Sequence, residues 1–479
     1  MLAAAPRVQT IRQRLARHYL NELQAASAAF GSGHDHSAYG LERFDREWPQ
    51  IKHWQTWSAA QSEHDPDSAS LCAHFPPAGA ELLAPRQTPQ ERIAWLTAGL
   101  RAARRIGDRR TEAECLFLMA WALHKQATID EAAAMGRQAL ALAEAIGDRV
   151  VTGRSLHLLG EIAVRRGEFG EAQRLHTRGL DLLRAAGDQA HLAEVYFSLS
   201  ELAYLQGDFA SAREYASQSH ALLEAQGLSP TTNNNLAWLG VTTAETGDLA
   251  GGERYVRQSI ELCRATGAQS TLAHGIYVLS GIARLKEDYT QALTLVAESL
   301  QIAQAINEEW LIPYLLLHRA DLLSLLGDPL SAARDIDQAL DMARQSGYRL
   351  ALSTALIQRA EVQLVLGQAA LARAALREGL PIAVSTRMAL DQAHGVLVAA
   401  RLWKQQGAAQ TAAQWVGMLL GRSGVEQVVR KALEAFGREL EADLGPDEYA
   451  AALEDGRGLQ LAEVVAEIVG ALADEYQDR

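Results

Sequence analysis

The chain has 479 residues, 48% of them hydrophobic, with only 12 prolines and a formal charge of −13. The apolar content excludes a disordered chain, the scarcity of proline argues for long helices over a loop-rich β fold, and the acidic balance speaks against direct nucleic-acid binding. Cys72, Cys115 and Cys263 lack paired spacing, and no run of 18 apolar residues or secretory signal is present. A cytoplasmic protein with buried thiols, no disulfide framework and no membrane partner is therefore expected.

Along the chain, Val8 to Ala29 and Leu41 to Ala60 read as helices separated by a loop from Gly31 to Gly40. Together they make an N-terminal helical segment, residues 1–66. Pro76, Pro77 and Pro85 are expected to break the chain. Gln90 to Ile106 is a helix that stops at Gly107, and its partner around Ser68 to Phe75 looks eroded, so residues 67–112 read as a degenerate first helix pair.

From residue 113 to 432 the chain repeats with a period of 40, about eight times. Arg166-Gly167-Glu168-Phe169 recurs as Gln206-Gly207-Asp208-Phe209, Thr246-Gly247-Asp248-Leu249, Lys286-Glu287-Asp288-Tyr289 and Leu326-Gly327-Asp328-Pro329. Weaker copies lie at Ala127, Gly367 and Gly407. Half a period away runs a second series: Gly107, Gly147, Gly187, Gly227, Gly267, Asn307 and Gly347. Glycine suits a left-handed helix stop, and the aspartate that often follows can accept from the free amides of the next helix. Between turns the apolar residues recur every three or four positions, as in Leu158, Leu159 and Ile162.

Three series of small residues mark close helix crossings. The first is Ala120, Gly160, Ser200, Gly240, Ser280, Ala320, Ala360 and Ala400. Twelve residues on lies Ala132, Ala172, Ala212, Gly252, Ala292, Ala332, Ala372 and Ala412. Seven further on lies Ala139, Gly179, Ser219, Ser259, Ser299, Ala339 and Gly379. Residues 433–479 read as a C-terminal helical cap.

The offsets of 12 and 7, with the steps Leu159-Gly160 and Leu239-Gly240, resemble the tetratricopeptide repeat. The period departs from the usual ~34, the aromatic after the small residue is mostly missing, and so is the closing proline. The extra residues would lengthen the second helix of each pair. The resemblance implies an all-α, right-handed α-solenoid of tetratricopeptide-like helix pairs. Such long variants occur in the sensor arrays of large bacterial regulators. Arg14 to Leu20 with Leu41 to Glu47, and the tail Leu444 to Leu459, are similar to segments of multidomain bacterial transcriptional regulators with a nucleotide-binding switch. No Gly-x-x-x-x-Gly-Lys-[Ser/Thr] phosphate loop occurs, and no winged helix fits before Arg7. The resemblance thus implies the sensor arm alone: a stand-alone relative, a fragment or a gene remnant.

No nucleophile elbow, zinc-protease helix or Cys-x-x-Cys is present, so no catalytic, cofactor-binding or metal residue and no cofactor is expected. His34-Asp35-His36 with His64 reads as a solvated polar loop. Arg7, Arg12, Arg14 and Arg17 read as a solvated face. In tetratricopeptide folds the first helix of each pair lines the concave surface. By phase that face holds Arg154, His157 and Glu161, then Phe197, Glu201 and Tyr204, then Asn234, then Tyr277 and Arg284. Aromatic rings beside charged and amide groups could grip a peptide or another protein's helix. The leading expectation is a protein–protein interaction scaffold or sensor arm in signalling or transcriptional regulation, not an enzyme. The alternatives are a module sensing a small-molecule effector or peptide, and a DNA-associated regulator acting through the N-terminal helices.

Overall fold

The computed structural model describes residues 5–30, 34–83, 86–126, 128–226, 230–422 and 424–474. The turns expected at Ala127 and Gly227 and the break at Pro85 lie outside them, as do the side chains of Arg7, His34, Asp35 and His36. The described residues form 24 helices and no strand. No helix among them is long and apolar enough to cross a membrane. They fall into two compact units: residues 1–163, 170–196 and 221–229, and residues 164–169, 197–220 and 230–479.

Unit 1 begins with α1 (Ala5–Phe30) and α2 (His34–Gln61), followed by α3 (Pro66–Ala78), α4 (Ala80–Leu83) and α5 (Pro89–Ile106). Then come α6 (Arg109–Lys125), α7 (Ile129–Ile146) and most of α8 (Arg149–Arg165) and α9 (Phe169–Ala186), with the first half of α10 (Gln189–Leu205) and the end of α11 (Phe209–Gln226). Its N-terminal core gathers Leu23, Phe44, Ile51, Trp54, Phe75 and Trp95. Two expectations need correction here. The stretch from Gly31 to Gly40 is not all loop, because α2 starts at His34. Gly40 lies inside that helix, where a Cβ would sit 2.6 Å from the Phe30 amide nitrogen, so its glycine serves a close approach of α1 and α2 rather than a turn. Pro76 and Pro77 do not break the chain at their own positions but occupy the last turn of α3, which ends just after them at Ala78, and Pro76 is buried against Gly99. Each proline there forfeits its own bond to the carbonyl four residues back, but the helix ends at Ala78, so no further turns have to be carried past the ring.

Unit 2 holds the rest of α10 and α11, then α12 (Pro230–Glu245), α13 (Leu249–Thr266), α14 (Gln269–Leu285), α15 (Tyr289–Ala305), α16 (Ile312–Leu325), α17 (Pro329–Ser346), α18 (Arg349–Val365), α19 (Ala369–Ser385), α20 (Ala389–Gln405) and α21 (Ala409–Leu420). The chain ends in α22 (Gln427–Leu444), α23 (Pro446–Arg457) and α24 (Leu461–Asp474). These last helices pack on α19, α20 and α21, and Val464, Val465 and Ile468 of α24 complete one core with Leu376, Leu397 and Trp415.

The turn chemistry produces these pairs. Gly107, Gly147, Gly187, Gly267 and Gly347 all take left-handed backbone angles, and Asn307 takes φ 53° in the same series. The aspartates cap as expected. Asp108 accepts from the Thr111 amide at 3.1 Å, Asp248 from Gly251 at 2.8 Å and Asp288 from Gln291 at 3.0 Å. The small-residue series are buried: Ala120, Ser200, Ser280, Ala292, Ser299 and Ala339 are inaccessible. The serines among them also bond across the crossing, where Ser200 Oγ donates to the Ala212 carbonyl and Ser280 Oγ to the Ala292 carbonyl, both at 2.6 Å. The long period is not a lengthened second helix. α8 has 17 residues and α9 has 18, and α14 and α15 have 17 each, so the extension is shared.

Candidate binding face

The first helices of successive repeats present a face of aromatic and charged side chains, and in unit 2 these side chains connect laterally. On α10, Tyr204 meets Trp238 of α12 edge-on at 5.2 Å, and Phe197 lies 6.0 Å from the same ring. The Trp238 indole donates to Ser200 Oγ at 2.7 Å, tying the ring to the small-residue crossing behind it. Tyr277 of α14 meets His318 of α16 edge-on at 5.4 Å, and Arg284 ion-pairs with Asp321. Tyr314 packs on Tyr348. On α18, Thr354 donates to Asp391 of α20 at 3.1 Å, and Glu361 accepts from His394 at 2.8 Å and ion-pairs with Arg401.

One rim of this face is occupied by the chain itself. The N-terminal end of α22 lies against the C-terminal ends of α10, α12 and α14. The Tyr204 hydroxyl donates to Glu426 at 3.0 Å, the Gln427 amide donates to Glu245 at 3.0 Å, and Lys431 donates to the Leu285 carbonyl and to Glu287, both at 2.7 Å. At the same rim the turns Gly207 and Gly424 touch, and a Cβ on Gly207 would lie 2.7 Å from the Gly424 carbonyl oxygen.

The electrostatics of the face follow from this crowding. Burial, reinforced by the neighbouring Glu426, pushes Glu245 up to about 8. Burial also raises Glu426, against the pull of the Tyr204 hydrogen bond. It carries Asp391 up to about 6 in spite of its Ser353 and Thr354 donors. Burial resists ionisation of Glu361 too, but His394 and Arg401 outweigh it and hold that carboxyl well below the usual range. His318 is driven down to about 3 by burial and then by Arg284, so it is neutral at physiological pH.

In unit 1, Arg154 ion-pairs with Asp188 at 2.9 Å. His157 is 4% exposed, beneath Trp121 with ring centroids 6.1 Å apart, and Glu161 is half-buried. Burial pushes His157 and the fully buried His176 down to about 4, against the opposing pull of Glu161. The residues expected on the concave face therefore divide. Tyr204, Tyr277 and Arg284 gather electrostatically about Glu426, and Phe197 joins the Trp238 cluster. Glu201 and Asn234 are half-buried on α10 and α12, and His157 faces the interior of its own repeat. Trp238, His318, Tyr314, Asp321, Glu361 and His394 belong to the face but were not expected there. Tyr314 and His394 share the 40-residue phase of Arg154 and Asn234, so that phase carried into later repeats points to them.

Residues 147–225 match the family model of the tetratricopeptide repeat, across the stretch that contains Leu159-Gly160. No protein of curated function matches the chain significantly in sequence. Among solved structures, the chain is similar to a Rap protein complexed with competence and sporulation factor, at 12% identity and a TM-score of 0.54 over 76% of this chain and 99% of that one. It is also similar to NprR in complex with its cognate peptide NprX, at 13% identity and a TM-score of 0.46 over 78% of this chain and 99% of that one. A third similar structure is a Signal Transduction ATPase with Numerous Domains from Pyrococcus horikoshii, carrying a tetratricopeptide repeat sensor. The likeness is 15% identity and a TM-score of 0.46, over 78% of this chain and 54% of that one. The chain thus carries tetratricopeptide repeats, and its fold is an all-α solenoid of tetratricopeptide-like helix pairs.

Proposed function

We propose that this protein is a regulatory receptor that binds an extended segment of a protein or peptide on the inner face of unit 2, and that it acts by binding rather than by catalysis. The observation that carries the reading is the way that face already holds polypeptide. Tyr204 and Glu245 take up the start of α22 through a carboxylate and a backbone amide, the groups any peptide would offer. Around them, Tyr277, Trp238, His318 and Tyr314 provide rigid rings with polar edges, which lose little side-chain freedom when a ligand arrives. The Rap protein of similar fold is complexed with competence and sporulation factor, which supports a binding role for this fold. A place in signalling, as the sensor arm of a larger regulator, accords with the resemblance of the two end segments to such regulators.

The test is selection of a random peptide library on the intact chain, followed by Kd measurement for the enriched peptides. Substituting Tyr277 and Arg284 together by alanine is expected to weaken binding by about ten-fold or more, as loss of a central anchor does. Peptides that bind the double variant as tightly as the unmodified chain would place the binding surface elsewhere and overturn the reading.

A further inference from the structure

The repeat built from α8 and α9 departs from its successors in its own interior. Where it has His176, the later repeats have Ala216, Val256, Val296, Ile336, Leu376 and Val416. His176 is fully buried, and neither of its ring nitrogens has a hydrogen-bond partner. Buried polar groups are almost always paired, so an aliphatic position filled by an unpaired imidazole calls for an explanation. The helix opposite has made room for the ring. At Gly160 a Cβ would lie 2.5 Å from the His176 ring, and the residue in the corresponding place of the next repeat is Ser200.

Two further donors converge on that ring. His157 and Glu161 are one turn apart on α8 and so share a face. The Glu161 carboxylate oxygen Oε1 lies 3.6 Å from His176 Nε2 and 3.9 Å from His157 Nε2, and the donor atoms of all three residues lie within 4.8 Å of one another. These separations are too long for hydrogen bonds. They are close to the roughly 3.3 Å between ligands held at 2.0–2.1 Å about a tetrahedral ion.

We propose that His157, Glu161 and His176 form a binding site for a divalent transition-metal ion, zinc(II) foremost. Two imidazoles and one carboxylate suit zinc, whereas magnesium and calcium require sets of oxygen ligands. Three protein ligands leave a fourth position for water or a ligand group. Glu161 keeps part of its side chain in solvent, which provides the entry route. A bound ion would fasten α8 to α9 in the one repeat whose interior is polar at this point. The site is independent of the peptide face of unit 2.

The test uses the full chain, freed of metal by chelation, titrated with cobalt(II) chloride and then with zinc chloride. One equivalent of cobalt is expected to produce the visible bands of tetrahedral coordination, zinc is expected to abolish them, and zinc alone should raise the melting temperature. His176→Val, which installs the residue of three later repeats, should preserve the helical circular dichroism and abolish the bands. An unmodified chain without those bands, or a folded His176→Val variant that retains them, overturns the proposal. Should His176→Val not fold, Glu161→Gln at its part-exposed position decides. A loss of zinc affinity of about ten-fold or more supports the site, and unchanged affinity removes it.

Discussion

The Tyr204 hydroxyl donates to Glu426 at 3.0 Å although 222 residues separate the two. With a period of 40, more than five repeats intervene, so within unit 2 the array comes back to touch its own earlier turn. The bond joins α10 to the residue preceding α22, and the Glu245–Gln427 pair beside it repeats the arrangement on α12. Tyr204→Phe should therefore loosen this contact without disturbing the helix pairs. A lost hydrogen bond to a carboxyl group is worth about 1.5–3 kcal/mol. Amide hydrogen exchange in the first turn of α22 should accelerate, while exchange in α24 stays as it was. Equal acceleration in both helices would show that the hydroxyl supports the whole unit instead.

The same rim should respond to alkali. Glu245 is raised on folding from 4.5 to about 8 by burial and by Glu426. A carboxyl shifted this way contributes stability that is complete below its unfolded value and disappears as pH climbs through the folded one. Docking of α22 should thus weaken progressively from about pH 4.5 to pH 8, read as rising protease sensitivity near residues 424–427. Glu245→Gln, neutral at every pH, should flatten that profile. A variant with the same pH dependence as the parent would assign the effect to another group.

The network about Glu361 should behave in the opposite sense on its acidic side. His394 and Arg401 depress that carboxyl, so its contribution is present above about 4.5 and is lost as pH falls. His394 is raised by the same partner, so its share is complete below 6.5 and fades as pH rises. Stability conferred by this cluster should peak between those values. Glu361→Gln should lower unfolding free energy by about 1–3 kcal/mol near pH 6, because it leaves two donors poorly paired. Denaturant titration at pH 4, 6 and 8 would show the difference shrinking on both sides, and a constant difference would count against the account.

Gly160 and His176 should be coupled. Gly160→Ser alone pushes a side chain into the His176 ring and should cost about 1–3 kcal/mol, as overpacking of a core does. Adding His176→Ala recreates the Ser200 and Ala216 combination of the next repeat, and most of the loss should be recovered. A double-mutant cycle by thermal or chemical unfolding reads the coupling directly. Simple additivity would mean that the two residues do not compete for one space.

The helix pairs were readable because their causes are local. A left-handed stop, an aspartate three residues before the amide it caps, and a small residue at each crossing all leave marks at fixed spacing. The same reasoning puts Tyr204, Tyr277 and Arg284 in phase on first helices, and the three gather about Glu426; their part in binding is the proposal made above. His157 looked equally exposed by phase, but Trp121 from the preceding repeat covers it, and polarity alone does not reveal a lid. Glu245 and Glu426 left no mark at all. Their meeting depends on how the small rotation between repeats accumulates over many units, which no window of sequence contains. Gly40 and Pro76 misled for the complementary reason: each residue type has a second use, in close approach or at a helix end, that resembles its use in loops.

Repeat proteins ordinarily evolve by duplication and loss of whole units, because each module touches only its neighbours and the chain can be any length. The meeting of Gly207 with Gly424 removes that liberty. Adding or deleting one forty-residue module between them would carry Tyr204 past Glu426 and set two turn backbones where side chains now stand. Between these glycines the protein must keep count, and its lineage should vary by substitution there while tolerating insertions outside.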